Sequence, residues 1–350
     1  MEDRTRIVHD LCCTNLPKDL QPVFFAAVYD GHGGAECAQF LQEELHGFVG
    51  RALDAHGADD EASVTAALKD ACLTCDAAFL ATKPGTRVGS TACMLLIFGQ
   101  KLMSCANVGD SRCCLATSSE CVPLSEDQTP AREDEAARIR NAGGFVIHKR
   151  VMGELAVSRA FGDAELKKPV HELVRPAEPA PDEVGPRLVL AEPEVRHTRV
   201  AGDFVLIACD GVFDVFSSPE AVDAVKKALA EGQGDPVRAA SVLCTSAVDD
   251  RGSRDNATAV GKACVYADAA NHKLHTYIDC SFYQCCAKGN ATVVFGPVAK
   301  ASGNPLFAED QPWEAANKNT YPTAAWDPAD RKYKLWYNSV FRHEQCCVFQ

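Results

Sequence analysis

Residues 23–34 read VFFAAVYDGHGG: an apolar run, then an aspartate, then a turn in which Gly31, Gly33 and Gly34 surround a histidine. The run over 23–28 has the length of a buried strand, and behind the turn Ala38, Leu41, Leu45 and Phe48 recur at helical spacing. Strand, glycine-rich turn and helix therefore follow one another. Working outward, residues 61–80 repeat the helical period through Val64, Ala67, Leu68, Cys72 and Phe79 until Lys83-Pro84-Gly85 ends it. Residues 90–98 (STACMLLIF), 101–108 (KLMSCANV) and 112–116 (RCCLA) are apolar or alternating runs broken by turns, the pattern of an antiparallel meander. Residues 131–142 are charged, helical and stopped by Gly143-Gly144, and 167–187 hold five prolines without periodicity, which predicts a surface loop or flap.

Further on, 203–209 (DFVLIAC) is a buried-strand pattern that runs into Asp210-Gly211. Residues 217–230 predict a helix capped by Ser217 or Ser218 with Pro219 in its first turn, 236–248 another helix, and 256–266 a strand. Strand and helix groups that are segregated rather than strictly alternating point to an α+β sandwich.

The 350 residues carry 35 basic and 48 acidic side chains, a net charge of −13, with 47% hydrophobic and 24% charged residues. Those values fit a folded globular chain and exclude wholesale disorder. The acidic whole repels polyanions, so nucleic acid is not an expected partner, and a phosphorylated substrate needs local cations. No apolar run is long enough for a membrane helix and MEDRTRIVHD lacks the core of a signal peptide, so the expected location is intracellular, cytoplasmic or nuclear, without a membrane partner. A monomer is expected. The 18 cysteines are dispersed, and Cys93, Cys105, Cys209 and Cys264 sit in apolar runs as small buried hydrophobes. Cys72 and Cys75 form a CxxC without a second pair at zinc spacing, and are expected in a helical core.

The carboxylates carry the chemistry. Asp30, Asp110 and Asp210 each follow an apolar strand, and Asp255 precedes one. One Asp-Gly alone is an ordinary turn. A carboxylate at the end of a buried strand is costly to desolvate without a partner, so four of them in one domain predict convergence on a cation, and hard oxygen ligands suit Mg²⁺ or Mn²⁺.

The blocks Met1-Glu2-Asp3, VYDGHGG (28–34), GSTA (89–92), ANVGDSR (106–112), LAVSRAFGD (155–163), AEPEV (191–195), ACDGVFDV (208–215) and DNATAV (255–260) resemble, in order and spacing, the metal-dependent protein phosphatases of type 2C over residues 1–267. The resemblance implies a central antiparallel β-sandwich flanked by helices. It also implies hydrolysis of phosphoserine and phosphothreonine in proteins by a hydroxide bridging two divalent ions. By motif, Asp30 would bridge the ions and Gly31 offer its carbonyl. Glu2 and Asp210 would bind from opposite sides, Asp255 would complete the site, and Asp3 would act through water. Asp110 and Asp214 match positions for a weaker third ion. His32, two places after the bridging aspartate, is assigned as general acid. Ser158 and Arg159 are expected to pin the base of the flap. The rival function is a catalytically weak phosphatase fold serving as a binding or regulatory module, against which stands the intact set of carboxylates.

The family's phosphate-holding arginine stands four places before the glutamate, a place that here falls before Met1, so an amino-terminally shortened form with a raised KM is expected. Residues 268–350 hold eight basic and eight acidic side chains and all three tryptophans, Trp313, Trp326 and Trp336, which sets them apart as a short β-rich extension. Residues 289–340 resemble one blade of a glycosidase-related β-propeller. One blade leaves open edges, so no glycosidase activity is expected from it.

Overall fold

The computed structural model describes residues 2–99, 101–168, 187–200, 202–232, 234–263, 280–285, 323–327 and 332–336. It divides into two units, Met1–Val294 and Phe295–Gln350.

The first unit is built on two five-stranded antiparallel sheets. One runs in the order β1 (Arg4–Val8), β2 (Val23–Tyr29), β5 (Ala92–Phe98), β6 (Leu102–Val108) and β12 (Glu194–Arg199). The other runs β15 (Cys280–Cys285), β14 (Ala257–Ala263), β13 (Phe204–Ala208), β7 (Arg112–Ala116) and β8 (Cys121–Pro123). The α+β sandwich read from the sequence is thus observed. The strand β15 lies beyond residue 268 and adds to the edge of this sheet.

The period of two along each strand builds the layers. Phe24, Ala26 and Val28 of β2, with Cys93, Leu95 and Ile97 of β5, meet Val205, Ile207, Cys113 and Leu115 of the other sheet in a shared interior. The alternate residues Val23, Phe25, Ala27 and Tyr29 face outward onto the helices α1 (Glu36–His56) and α2 (Glu61–Thr82). Leu41, Leu45, Val49 and Leu53 of α1 are buried one turn apart, each Leu contributing about 1.5–3 kcal/mol, and truncating one to Ala would cost about 2–5 kcal/mol. Asp60 starts α2 by accepting a hydrogen bond from the Ser63 amide at 2.7 Å. Cys72 and Cys75 lie fully buried on its inner face, as their spacing predicts.

The second sheet is covered in turn by α5 (Ser218–Glu231) and α6 (Pro236–Thr245), after the one-turn helix α4 (Asp210–Phe213). Ser217 caps α5 in a full capping box with Glu220. Between β8 and β12 come α3 (Glu133–Asn141), the hairpin β9 (Val146–Ile147) and β10 (Arg150–Val151), and β11 (Phe161–Gly162). The strand β11 joins β4 (Gly89–Ser90) and β3 (Gly31–His32) in a small sheet at the sandwich mouth. Most of the proline-rich flap, 169–186, lies outside the described residues, as does Cys264. Of the second unit, the hairpin β16 (Thr323–Asp327) and β17 (Lys332–Trp336) is described; the rest of the blade-like stretch is not.

Candidate metal centre

The chain leaves β2 at Asp30, whose backbone is pinned twice to one residue. The Thr91 amide donates to the Asp30 carbonyl at 2.8 Å, and the Asp30 amide donates to Thr91 Oγ1 at 3.2 Å. Thr91 also meets Ser111 Oγ at 2.8 Å, tying the GSTA block to the GDSR block. Gly31 carries no side chain for a steric reason: a Cβ there would lie 2.6 Å from the Glu2 carbonyl oxygen. The amino-terminal segment can therefore pack against the turn and bring Glu2 and Asp3 alongside Asp30. Gly211 does the same on the other sheet, where a Cβ would meet the Asn256 carbonyl oxygen at 2.0 Å, so Asp210 sits beside the Asp255 loop.

Ligand atoms of Asp30, Asp210 and Cys209 lie within 4.8 Å of one another. The Cys209 thiol is already committed, donating to the Asn256 carbonyl and accepting from the Thr258 amide, both at 3.1 Å. Thr258 Oγ1 donates to Asp3 Oδ2 at 2.6 Å. Asp214 stands one helical turn after Asp210, its amide donating to the Asp210 carbonyl at 2.7 Å, and both Asp214 and Asp255 are exposed at the rim. Gln128, fully buried, holds the Asp110 loop by accepting from the Gly109 amide at 2.7 Å.

The electrostatics follow from burial and like charge. The Asp30 carboxyl is pushed well above the usual range by loss of solvent, then by the charges of Asp3 and Asp210 and a hydrogen bond with Asp210. Burial lifts Asp3 to about 7, against the hydrogen bond from Thr258. Asp110 reaches about 7 through burial and then Asp210 and Asp127, and Asp210 about 6 through burial, with Asp255 and Asp214 adding to it. Asp214, though exposed at the rim, is raised too, by partial loss of solvent and then by Asp255. Among the described residues, Asp30, Asp110 and Asp210 take part in no ion pair. Asp210 Oδ1 and Asn256 Oδ1 are buried without a hydrogen-bond partner, an arrangement a protein rarely tolerates. These oxygen donors fit a divalent cation.

His32 stands at the edge of the site. Its Nε2 lies 2.8 Å from Asp163 Oδ2. Burial works against a charged imidazole, but the hydrogen bond and charge of Asp163, with Asp110 and Glu2 beyond, outweigh it and hold the His32 pKa above its ordinary value. A Cβ on Gly89 would lie 2.2 Å from Asp163 Oδ2 and 2.3 Å from His32 Nε2, so a bare backbone at Gly89 is a condition of that contact. Asp163 itself adopts a left-handed backbone, φ +47°, with its amide bonded to the Val88 carbonyl at 3.0 Å. Neither Asp163 nor Gln128 was singled out by spacing. The one signal was that Asp163 ends a Phe-Gly-Asp run. Of the two residues expected to pin the flap base, Ser158 Oγ donates to the Gln128 carbonyl at 2.8 Å and Arg159 Nη2 to Glu135 at 2.8 Å.

The family profile of protein phosphatase 2C matches residues 1–257. Probable protein phosphatase 2C 25 of Arabidopsis thaliana is 34% identical over 73% of this chain and 59% of its own length. Protein phosphatase 2C homolog 2 of Aspergillus fumigatus is 36% identical over 67% of this chain and 53% of its own. The chain thus spans a little over half the length of these curated relatives. A solved structure of a C. elegans sex-determining protein superposes with a TM-score of 0.59 at 29% identity, covering 75% of this chain and 61% of that one. Fold, order of blocks and family match agree: the chain belongs to the protein phosphatase 2C family.

Proposed function

We propose that this chain is a protein serine/threonine phosphatase that hydrolyses phosphoserine and phosphothreonine with two ions of Mg²⁺ or Mn²⁺. The observation that carries this reading is a set of carboxylates, Asp30, Asp110 and Asp210, that take part in no ion pair among the described residues, with Asp210 Oδ1 buried and without a hydrogen-bond partner there. Asp30, Gly31, Glu2, Asp210 and Asp255 would hold the two ions, with Asp110 and Asp214 at a weaker third. When bound, the ions would acidify a shared water and neutralise the phosphate. The chain's own part is then geometric and protonic. Thr91 fixes Asp30, Gln128 fixes the Asp110 loop, and Cys209 and Thr258 fill the interior side so that the carboxylates face the mouth. His32 holds a proton on its imidazole for the leaving alkoxide, and Asp163 keeps that imidazole oriented and charged.

Phosphoprotein is the substrate of this reading, nucleic acid and membrane are not partners, the protein acts as a monomer, and its location is intracellular. No helix among the described residues is long and apolar enough to cross a membrane. Residues 1–267 form the catalytic domain and 268–350 an extension, of which β15 adds an edge strand. The test is hydrolysis of a phosphothreonine peptide with Mg²⁺ or Mn²⁺, with and without chelator. Activity that requires the ion supports the reading; full activity in excess chelator would sink it.

A further inference from the structure

Beside the carboxylates the surface opens into a pocket of about 470 Å³ bounded by His32 and Asp163. Met152, Leu155 and Leu166 give it an apolar lining, and Arg87 lines it with a side chain 70% exposed. Gly33 joins the two ends of this wall. Its φ is +71°, and a Cβ there would meet the Arg87 carbonyl oxygen at 2.9 Å, so bare backbone separates His32 from Arg87.

Arg87 is held unequally. Its Nε donates to Glu165 at 2.6 Å, while its Nη1 reaches Glu154 only at 3.3 Å, across a pair in which both side chains are mostly exposed. An exposed pair of that kind is weak and screened by solvent. A guanidinium anchored on one edge and loosely engaged on the other can exchange Glu154 for an incoming anion, and its planar fork suits a carboxylate. The molecule's net charge of −13 repels acidic polypeptide in general, so a local cation decides where such a segment lands.

We propose that this pocket, on the phosphatase reading above, seats the substrate residues that flank the phosphorylated side chain. An apolar residue packs on Met152, Leu155 and Leu166, and an acidic residue pairs with Arg87 in place of Glu154. The substrate class is a phosphopeptide with an acidic and apolar flank, and Arg87 is a specificity-determining residue. A basic flank is the opposite outcome, because Glu154 and Glu165 would receive it.

The full chain with Mn²⁺ is assayed on phosphothreonine peptides that differ only in one flanking residue, Asp, Ala or Lys. The Asp peptide should exceed the Ala peptide in kcat/KM by about threefold, the scale of one exposed ion pair, with the difference in KM. Arg87→Glu should reverse the order, Arg87→Lys should keep it at a smaller ratio, and Glu154→Gln, which removes the competing carboxylate, should widen it. Flankless p-nitrophenyl phosphate is run in parallel. An unaltered chain that hydrolyses neither substrate overturns the phosphatase reading and this inference with it. Hydrolysis of p-nitrophenyl phosphate with a flank ratio near one, or with a preference for Lys, overturns the assignment of the pocket alone.

Discussion

Two clusters of carboxylates in the same unit meet opposite fates. At the flap base, Asp134, Glu135 and Glu194 lie close enough to share an ion, yet the chain supplies the counter-charge itself. Arg138 and Arg159 each donate to Glu135 at 2.8 Å, and Arg132 pairs with Glu194. Glu135 is only 2% exposed, and although burial alone would raise its pKa, the two guanidinium groups bring it down to about 2. At the sandwich mouth, Asp30, Asp110 and Asp210 lack such partners among the described residues and are pushed upward. Residue type and proximity do not make a metal centre. What sets the mouth cluster apart among the described residues is a deficit of cationic partners.

The strongest way to break that contrast is Asp210→Asn. If the mouth cluster serves a cation, removing a ligand should lower hydrolysis by about 10³-fold or more, several kcal/mol of lost charge stabilisation. It should also abolish the rise in melting temperature that Mn²⁺ gives the unaltered chain by mass action. In chelator the same variant should melt no lower than the parent, since one of several crowded like charges has gone. A lower melting temperature in chelator would mean that Asp210 is a structural partner after all.

Glu135→Ala probes the other cluster and should do the reverse. It removes the carboxylate that Arg138 and Arg159 share, leaving Arg159 with Glu194 and Arg138 with backbone carbonyls, and breaking a buried pair costs up to about 3–5 kcal/mol, seen as a fall in melting temperature that Mn²⁺ does not single out. The pH dependence sharpens this. A carboxyl whose folded pKa is depressed stabilises the fold above its unfolded value and loses that contribution as pH falls through the folded one. The parent should therefore lose stability between its ordinary pKa of 4.5 and about 2 with a component that Glu135→Ala lacks. Superimposable acid-unfolding slopes would remove Glu135 from the account.

Much of the sandwich was legible because β2, β5 and β13 are apolar on both faces and α1 and α2 keep a strict period. The strand β12, EVRHTR, was not, because an edge strand with no fully buried residue has no alternation to read. The one-turn helix at Asp210 hid inside a turn motif. Within the site, the strand-end aspartates announced themselves by following buried runs, each a local signal. Gln128 and Glu135 gave none, because their partners Gly109 and Arg159 meet them only through the fold, and Asp163 gave only the Phe-Gly-Asp run it ends, with nothing local to tie it to His32.

The smallest expected effect tests the case between the two clusters, a carboxylate paired with a histidine rather than with an arginine or an ion. Asp163→Asn keeps a hydrogen-bond acceptor for His32 but removes the charge that holds the imidazole pKa up. A general acid must be protonated, so activity on the alkaline side is lost as pH rises through the His32 pKa. Lowering that pKa should move the alkaline limb of the pH–rate profile to lower pH, and for every pH unit the limb moves the rate above it should fall about tenfold. At pH values below the limb the loss should be slight, and metal affinity should hold. Asp163→Ala removes orientation as well as charge and should lose rate at every pH. If Asp163→Asn lowered the rate uniformly without moving the limb, Asp163 would be bracing the pairing of β11 with β4 and not the proton on His32.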